Sequence, residues 1–387
     1  MNQTPAVAPA RPRVLQCLTH LALGGAERIA FQLMRGLRTE CDFAVFTALA
    51  AIPDAVGADL QRELGQAHLA HHRGTRAPFK LGGMALAGLG LARAVREFRP
   101  DLIHLHTEIP EASWAMMSVL AAAPREIPVV RTIHNSVFWE SWPRLGRWCD
   151  RRLAHAHVAA VSQAALGAAR QLRRDSGAGS FVAEPAIIYN GVDAGSGAPR
   201  AERSATDPVR LLFAGRCETQ KGADLLPAIL AAVRPPDERE LELTIYGQGS
   251  LQPVLRALAA HPPAGWRVRL LAPVPDLTHR LRDFDLVLMP SRFEGLGLVA
   301  IEALQLGVPV IGTDAPGLRE VFPEKYPWRA RAGDAASFAH CLQEALGCAA
   351  AWAGAVQPAQ AFVRQRFNSA QMCAGYLALY WRALGGG

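Results

Sequence analysis

The stretch PSRFEGLGLVAIEALQLGVPVIGTD (290–314) reads as a strand ending at Ser291, a turn Glu294-Gly295-Leu296-Gly297, a helix from about Leu298, and a second apolar strand. Small residues in the turn let backbone approach a ligand closely. Amides exposed at the helix start, backed by the helix dipole, favour a phosphate there. Glu302 follows about one turn later, at ~5.4 Å of rise per turn, placed to accept from a vicinal diol such as a ribose beyond the phosphates. Glu294 lies on the other side of those amides, where a sugar attached to the distal phosphate would sit.

Working outward, short apolar runs alternate with longer helical patterns, the mark of βαβ units and parallel sheets. Strands are predicted at 13–18, 42–49, 101–106, 129–134, 157–162 and 186–192, then at 209–215, 242–247, 268–274, 285–291 and 309–314. Helices are expected at 25–38, 82–97, 298–306 and 335–348. Between the halves, DAGSGAPRAERSATDP (193–208) has no apolar periodicity and reads as a linker. The expected organisation is a flexible N-terminus over 1–12, a first domain over 13–192 and a second over 209–371. The amphipathic segment 358–384 either closes the second domain or crosses back, and a helix over about 372–387 is assigned to the first domain. Ligands of such sheets bind at the carboxyl ends of the strands, which is where the motifs fall.

The run after strand 209–215 is GRCETQKG, with Arg216 and Lys221 flanked by Gly215 and Gly222. Two cations at a strand end can be solvated surface charges, or long donors that reach a diphosphate. In the second reading they stabilise charge that grows on a leaving pyrophosphate.

The pattern E-G-x-G-x-x-x-x-E-A around Glu294 and Glu302, its continuation A-L-x-x-G-x-P-V-I, and Gly317 and Glu320 in PGLRE resemble family 4 of the glycosyltransferases. G-R-x(n)-K-G occupies the same place there as Arg216 and Lys221 do here. The resemblance covers about residues 13–380, leaving 50–80 and the 135–155 loop unassigned. It implies the GT-B fold, an α/β architecture of two Rossmann-like parallel-sheet domains facing each other across a cleft. By that resemblance Glu294 bonds the donor sugar and Glu302 the ribose. Donor contacts extend to Gly215, Gly295, Leu296, Gly297 and Leu298, and to Gly247 in YGQGS, a strand-end turn set against the base. No metal and no cofactor are expected. Asp283-Phe284-Asp285 is a D-x-D, a metal motif in the unrelated GT-A fold, but here it reads as a helix end leading into a strand.

In the first half, LTHLALGGAERIAF carries Gly24 and Gly25 at a strand-to-helix turn, matching the family's G-G-A-E-R loop near the donor phosphates or the acceptor. Glu27 fits a first-turn carboxylate better than a catalytic group. His104, His106 and His134 end strands, a place where histidines are usually structural. The family has a histidine after the strand equivalent to 129–134, which gives His134 a positioning and electrostatic role near the sugar hydroxyls. His106 and Glu108 are assigned to the acceptor side. VSQAAL (161–166) and YNGVD (189–193) resemble the end of the family's first domain.

Half of the 387 residues are apolar and the formal net charge is +7, which suits a packed α/β protein drawn to phosphate-bearing ligands or anionic surfaces. No basic stripe with interleaved aromatics appears, so nucleic acid is not an expected partner. Seven scattered cysteines without a C-x-x-C pair fit a reducing cytoplasm. The N-terminus has no apolar core of a signal peptide, and no apolar run approaches the ~18–20 residues that span a bilayer. Arg144, Arg147 and Arg151 recur at helical spacing in WESWPRLGRWCDRRL (139–153). That segment is either a surface helix or a peripheral contact with an anionic membrane.

The resulting expectation is a retaining, metal-independent hexosyltransferase using a nucleoside-diphosphate sugar, UDP-linked, and a saccharide or lipid-linked acceptor. Its setting would be cell-surface polysaccharide synthesis, in the cytoplasm or at the inner membrane face. An epimerase of the same fold, a phosphorylase, or an inactive nucleotide-sugar-binding protein are the rivals. A phosphorylase would need a cofactor lysine site that the sequence does not offer.

Overall fold

The computed structural model describes residues 11–22, 24–51, 54–120, 127–193, 207–235, 239–348 and 351–385. Most of the expected N-terminal lead (1–12) and of the expected linker (193–208) lies outside the described residues.

Among the described residues the first half forms seven strands: β1 (Arg13–Leu18), β2 (Asp42–Leu49), β3 (Ala70–Thr75), β4 (Leu102–His106), β5 (Val129–Ile133), β6 (His157–Ala160) and β7 (Ala186–Ile187). They lie in the order β3-β2-β1-β4-β5-β6-β7. The second half forms β8 (Val209–Ala214), β9 (Leu241–Tyr246), β10 (Trp266–Leu271), β11 (Leu286–Leu288), β12 (Val310–Thr313) and β13 (Arg329–Ala330), in the order β10-β9-β8-β11-β12-β13. Neighbours run parallel throughout; Val14, for instance, faces Phe43 on one side and Leu102 on the other. Parallel sheets are covered on both faces and so read as continuous apolar runs. β1 is buried at every position after Arg13, and β4 and β5 are buried throughout.

The helices are α1 (Gly25–Gly36), α2 (Ala55–Gln66), α3 (Met84–Phe98), α4 (Glu108–Leu120), α5 (Pro143–Arg152), α6 (Gln163–Ser176), α7 (Leu226–Ala232), α8 (Gln252–Ala260), α9 (Leu277–Arg280), α10 (Leu298–Gln305), α11 (Ala335–Gly347), α12 (Trp352–Arg366) and α13 (Ser369–Ala383). In the first domain α1, α2 and α13 bury one face of the sheet through Ile29, Phe31, Leu60, Met372 and Tyr376. α3 and α4 cover the other through Leu91, Val95, Trp114 and Met117.

Strand order reverses between β1 and β4 in one sheet and between β8 and β11 in the other. Each reversal opens a crevice at the carboxyl ends of its strands, the ligand position of this architecture. The expected pair of facing parallel-sheet domains is present.

Several local expectations need adjusting. The run 186–192 is strand only at Ala186–Ile187, because Gly191 and Val192 turn away to meet the chain returning from the C-terminus. Val192 N donates to Phe367 O at 2.9 Å, and a Cβ on Gly191 would lie 2.2 Å from Asn368 O. Segment 358–384 is two helices. Asn368 is extended and caps α13, its side chain accepting from Gln371 N. α12 stays with the second domain, whereas α13 seats Tyr376 and Tyr380, both fully buried, on the first. Strand β3 lies in the unassigned 50–80 region and carries polar residues (AHHRGT), so no apolar run announced it.

Candidate functional site

At the second-domain reversal the chain leaves β8 through Gly215, whose φ of +149° suits glycine. Arg216 is exposed beside it. A single 3-10 turn, Thr219–Lys221, then swings Lys221 back over the strand ends. Gly222 follows at φ +69°, and a Cβ there would lie 2.0 Å from the Pro290 carbonyl oxygen, so the turn packs directly on the chain leaving β11.

That packing brings Lys221 Nζ within 2.7 Å of both carboxylate oxygens of Glu294. Ser291 Oγ donates to Glu294 Oε1 at 2.8 Å, and Glu294 N donates to Pro316 O at 2.9 Å. Glu294 is 4% exposed, a carboxylate held by a cation and a hydroxyl, as a buried charge requires. Leu296 is buried, and Gly297, at φ +93°, precedes α10 at its N-terminus. Gly247 ends β9 with its backbone against Gly215: a Cβ would lie 2.1 Å from Gly215 O. Glu218 braces the next turn by accepting from Ser250 N at 2.7 Å.

The first domain closes onto this turn. A Cβ on Gly295 would lie 1.9 Å from the carbonyl oxygen of His134, at the end of β5. Leu298 Cδ1 packs at 3.4 Å from where a Cβ of Gly25 would be. Arg28, on α1, reaches Glu302 with Nη2 bonded to Oε1. Gln248 Nε2 donates to Asp54 at 3.0 Å, and Glu320 accepts from the amides of Gln163 and Ala164 at the start of α6, at 2.9 and 3.0 Å. Glu294, Gly295, Lys221 and His134 thus meet in one place. Gly24, Gly25 and Leu298 line its α1 side, with Glu302 behind them.

Behind His134 runs a buried hydrogen-bonded chain. His134 Nε2 lies 2.9 Å from His106 Nδ1, and His106 Nε2 lies 2.7 Å from Gln16 Oε1. Gln16 Nε2 donates to the Tyr380 hydroxyl at 3.1 Å, which lies 2.7 Å from His104 Nδ1. His104 Nε2 in turn contacts Thr132 Oγ1 at 2.7 Å, and Thr132 contacts the Tyr376 hydroxyl at 3.0 Å. Burial drives His134 down to about 3, and holds His106 and His104 well below the usual histidine range. The three rings are therefore neutral at pH 7. His134 thus faces a ligand as a neutral polar ring, one that can hydrogen bond without carrying a charge. His106 is fully buried with both ring nitrogens engaged. It has no ring nitrogen left for an acceptor, and its position is behind His134.

Glu108 opens α4, where Trp139 N donates to its Oε1 at 3.4 Å. Burial raises its pKa, and the Arg216 guanidinium opposes that rise. Burial likewise lifts Glu27 to about 7, again opposed by Arg216. Arg216 of the second domain therefore faces two carboxylates of the first. Between β4 and α4, Thr107 sits at φ +72°, rare for a β-branched residue, with its hydroxyl 2.8 Å from that of Thr19 at the end of β1. Strain of this kind gathers where a backbone is held for a purpose.

Asp285 of the D-x-D accepts from Arg210 N at 2.7 Å at the amino ends of β8 and β11. It lies at the opposite end of the sheet from Glu294 and Lys221. The basic segment 139–153 contains α5, with Gly146, Cys149 and Asp150 buried and Arg144 and Arg151 exposed. Among the described residues no helix is long and apolar enough to cross a membrane. Sequence reasoning passed over Ser291, Gln16, Thr107, Arg28 and Tyr380. Only Arg28 carried a signal, as the last residue of the G-G-A-E-R run.

Comparison with known proteins bears on the same segments. A model described as "Glycosyltransferase Family 4" matches residues 23–195, and one described as "Glycosyl transferases group 1" matches residues 208–347. A glycogen synthase of Mycobacterium tuberculosis is 32% identical over 257 residues, 61% of this chain and 58% of that protein. A D-inositol 3-phosphate glycosyltransferase of Jonesia denitrificans is 31% identical over 251 residues, 58% of each chain. The match thus spans little more than half the length of either relative. Among solved structures, Anabaena HepE in complex with UDP and glucose superposes with a TM-score of 0.75 at 21% identity, over 95% of this chain and 99% of that one. Sucrose-phosphate synthase of Thermosynechococcus elongatus gives 0.76 at 18%, over 97% and 100%. These two likenesses speak for the fold. With both halves matched and two parallel sheets meeting at the Glu294 turn, the chain belongs to the family 4 (group 1) glycosyltransferases.

Proposed function

We propose that the protein transfers a hexose from a UDP-linked donor to a saccharide or lipid-linked acceptor with retention of anomeric configuration and without a metal ion. The observation that carries this is the Lys221–Glu294–Ser291 cluster at the second-domain crevice, capped by His134 of the first domain. Relatives named as a glycogen synthase and a D-inositol 3-phosphate glycosyltransferase, and a fold neighbour solved with UDP and glucose, support the donor class.

In this reading the diphosphate lies at the start of α10, taking amides from the helix and charge from Arg216 and Lys221. The bond between the sugar C1 and the β-phosphate oxygen breaks, its electrons passing to the diphosphate. The acceptor oxygen bonds C1 on the same face and gives its proton to the departing phosphate oxygen. Fixed cations stabilise that leaving group more as its charge grows, so they lower the barrier rather than merely tighten binding. Glu294, with Lys221 on both oxygens, receives the sugar hydroxyls, and the neutral His134 adds a hydrogen bond. Glu302 receives the ribose.

The acceptor side is the crevice between β1 and β4, where Glu108 lies. The exposed arginines of α5 support a peripheral contact with an anionic membrane, and in this reading the reaction runs at the inner face of the cell membrane, in cell-surface polysaccharide synthesis. The test is the anomeric configuration of the product by NMR with UDP-glucose and UDP-galactose as donors. A product of the donor's own configuration, lost in Glu294→Gln, supports the reading. An inverted product, or full activity in Glu294→Gln, overturns it. Donor consumed with no acceptor present would favour an epimerase.

A further inference from the structure

Glu302 belongs to the second domain, yet among the described residues the cation on its carboxylate comes from the first. Arg28 extends from α1 with Nη2 on Glu302 Oε1, and the same nitrogen lies 3.4 Å from Thr278 Oγ1 of α9. The Glu302 side chain is 0% exposed while Arg28 is 38% exposed. The pair is therefore unlike an ordinary surface ion pair, in which both partners are wet and little is gained. The second oxygen, Oε2, is buried and has no hydrogen-bond partner among the described residues. Buried carboxylate oxygens are normally satisfied. An ionised carboxylate only accepts, so what completes this one is a donor.

We infer that Arg28 is a positioning residue lent by the opposite domain: it fixes Glu302 Oε1 and leaves Oε2 to accept from a ribose hydroxyl of the donor. This rests on the nucleotide-sugar reading above. The guanidinium is a planar fork that sets the direction of the carboxylate it binds. Gly25, with no side chain between α1 and Leu298, lets the Arg28 turn come close enough to reach across. Recognition of the ribose then depends on both domains being together. Without Arg28 the carboxylate loses its cation, and its plane is no longer set.

The experiment is calorimetric binding of UDP, GDP and ADP, each beside its 2′,3′-dideoxy counterpart, to the wild type, Arg28→Met and Arg28→Lys. A site built to bond a hydroxyl rejects an analogue lacking it, because its own polar atom is left unpaired. The wild type is expected to prefer one ribonucleotide over its dideoxy form by about tenfold or more. Arg28→Met should bring that ratio to within about twofold, with dideoxy affinity changed by less than about threefold, and Arg28→Lys should restore part of it. A merely structural role would weaken both forms alike and leave the ratio standing; that result, or an unchanged ratio with unchanged affinity, overturns the inference alone. A wild type that binds none of the three diphosphates overturns the nucleotide-sugar reading and the inference with it. Should Arg28→Met fail to fold, Arg28→Gln, neutral but still hydrogen bonding, is read by the same ratio.

Discussion

Lys221 Nζ stands 2.7 Å from both carboxylate oxygens of Glu294, although 73 residues separate them in the chain. The pairing of β8 with β11, Leu211 against Leu286, brings the two strand ends side by side. Gly222 lets the Lys221 turn settle onto Pro290. The reversal of strand order makes the crevice, and these two side chains place a cation and a carboxylate at its floor.

Gly295→Ala should separate the domains. The new Cβ would lie 1.9 Å from the His134 carbonyl oxygen, and backbone cannot step aside as a flexible side chain can. The second-domain turn itself has room to remain folded, so the melting transition should move little. kcat/KM should fall by about a hundredfold, the effect of misplacing reacting groups by about an ångström. Steady-state kinetics beside a thermal melt checks this; wild-type activity would mean the turn and His134 need not meet.

Arg131→Met should destabilise the first domain by about 3–5 kcal/mol. Arg131 is 1% exposed and bonds Glu111 through Nε and Nη2, both at 2.9 Å, and Asp150 through Nη1 at 2.7 Å. Arg173 completes the cluster, its Nε donating to Asp150 Oδ2 at 2.8 Å. Methionine fills the volume but takes the guanidinium from buried Glu111 and leaves Asp150 to Arg173 and Ser176. Urea unfolding gives the value, and a loss under about 1 kcal/mol would contradict the account.

His134→Asn should flatten the acid limb of the stability profile. The folded pKa, near 3, lies below the unfolded value of about 6.5, so the unfolded chain binds the proton first. The neutral ring therefore adds stability that is present above about pH 6.5 and is lost as pH falls toward about 3, at about 1.4 kcal/mol per pH unit. Glu27, raised to about 7, acts in the opposite direction, losing stability as pH climbs from about 4.5 to 7. The difference between wild type and His134→Asn isolates the histidine. Parallel curves from pH 7 to 5 would show that His134 titrates normally.

Much of this was legible in the sequence because the features that carry it are local. Strand-end glycines, Glu294 and Glu302 around one helix start, and Arg216 with Lys221 after a strand all fall within short windows. β2 was readable to the residue because both its faces are buried. What stayed hidden depends on contacts between distant segments. Tyr380 acts 276 residues away from His104, and Gln16 looks like a polar interruption of an apolar strand until the chain to His134 is seen. The break at Phe367–Asn368 was invisible because amphipathic helices flank it on both sides. β3 was missed because strand pairing to β2, with Ala44 against Ala70, sustains a sequence that its own composition would not.

The most direct test of the central claim is calorimetric binding of UDP-glucose in EDTA to the wild type and to Lys221→Met. The account predicts that wild type binds without any metal and that Lys221→Met weakens binding by about tenfold or more, a loss of about 1.4 kcal/mol at least. Equal affinity in the two proteins, or wild-type binding that appears only when Mg²⁺ is restored, would contradict it.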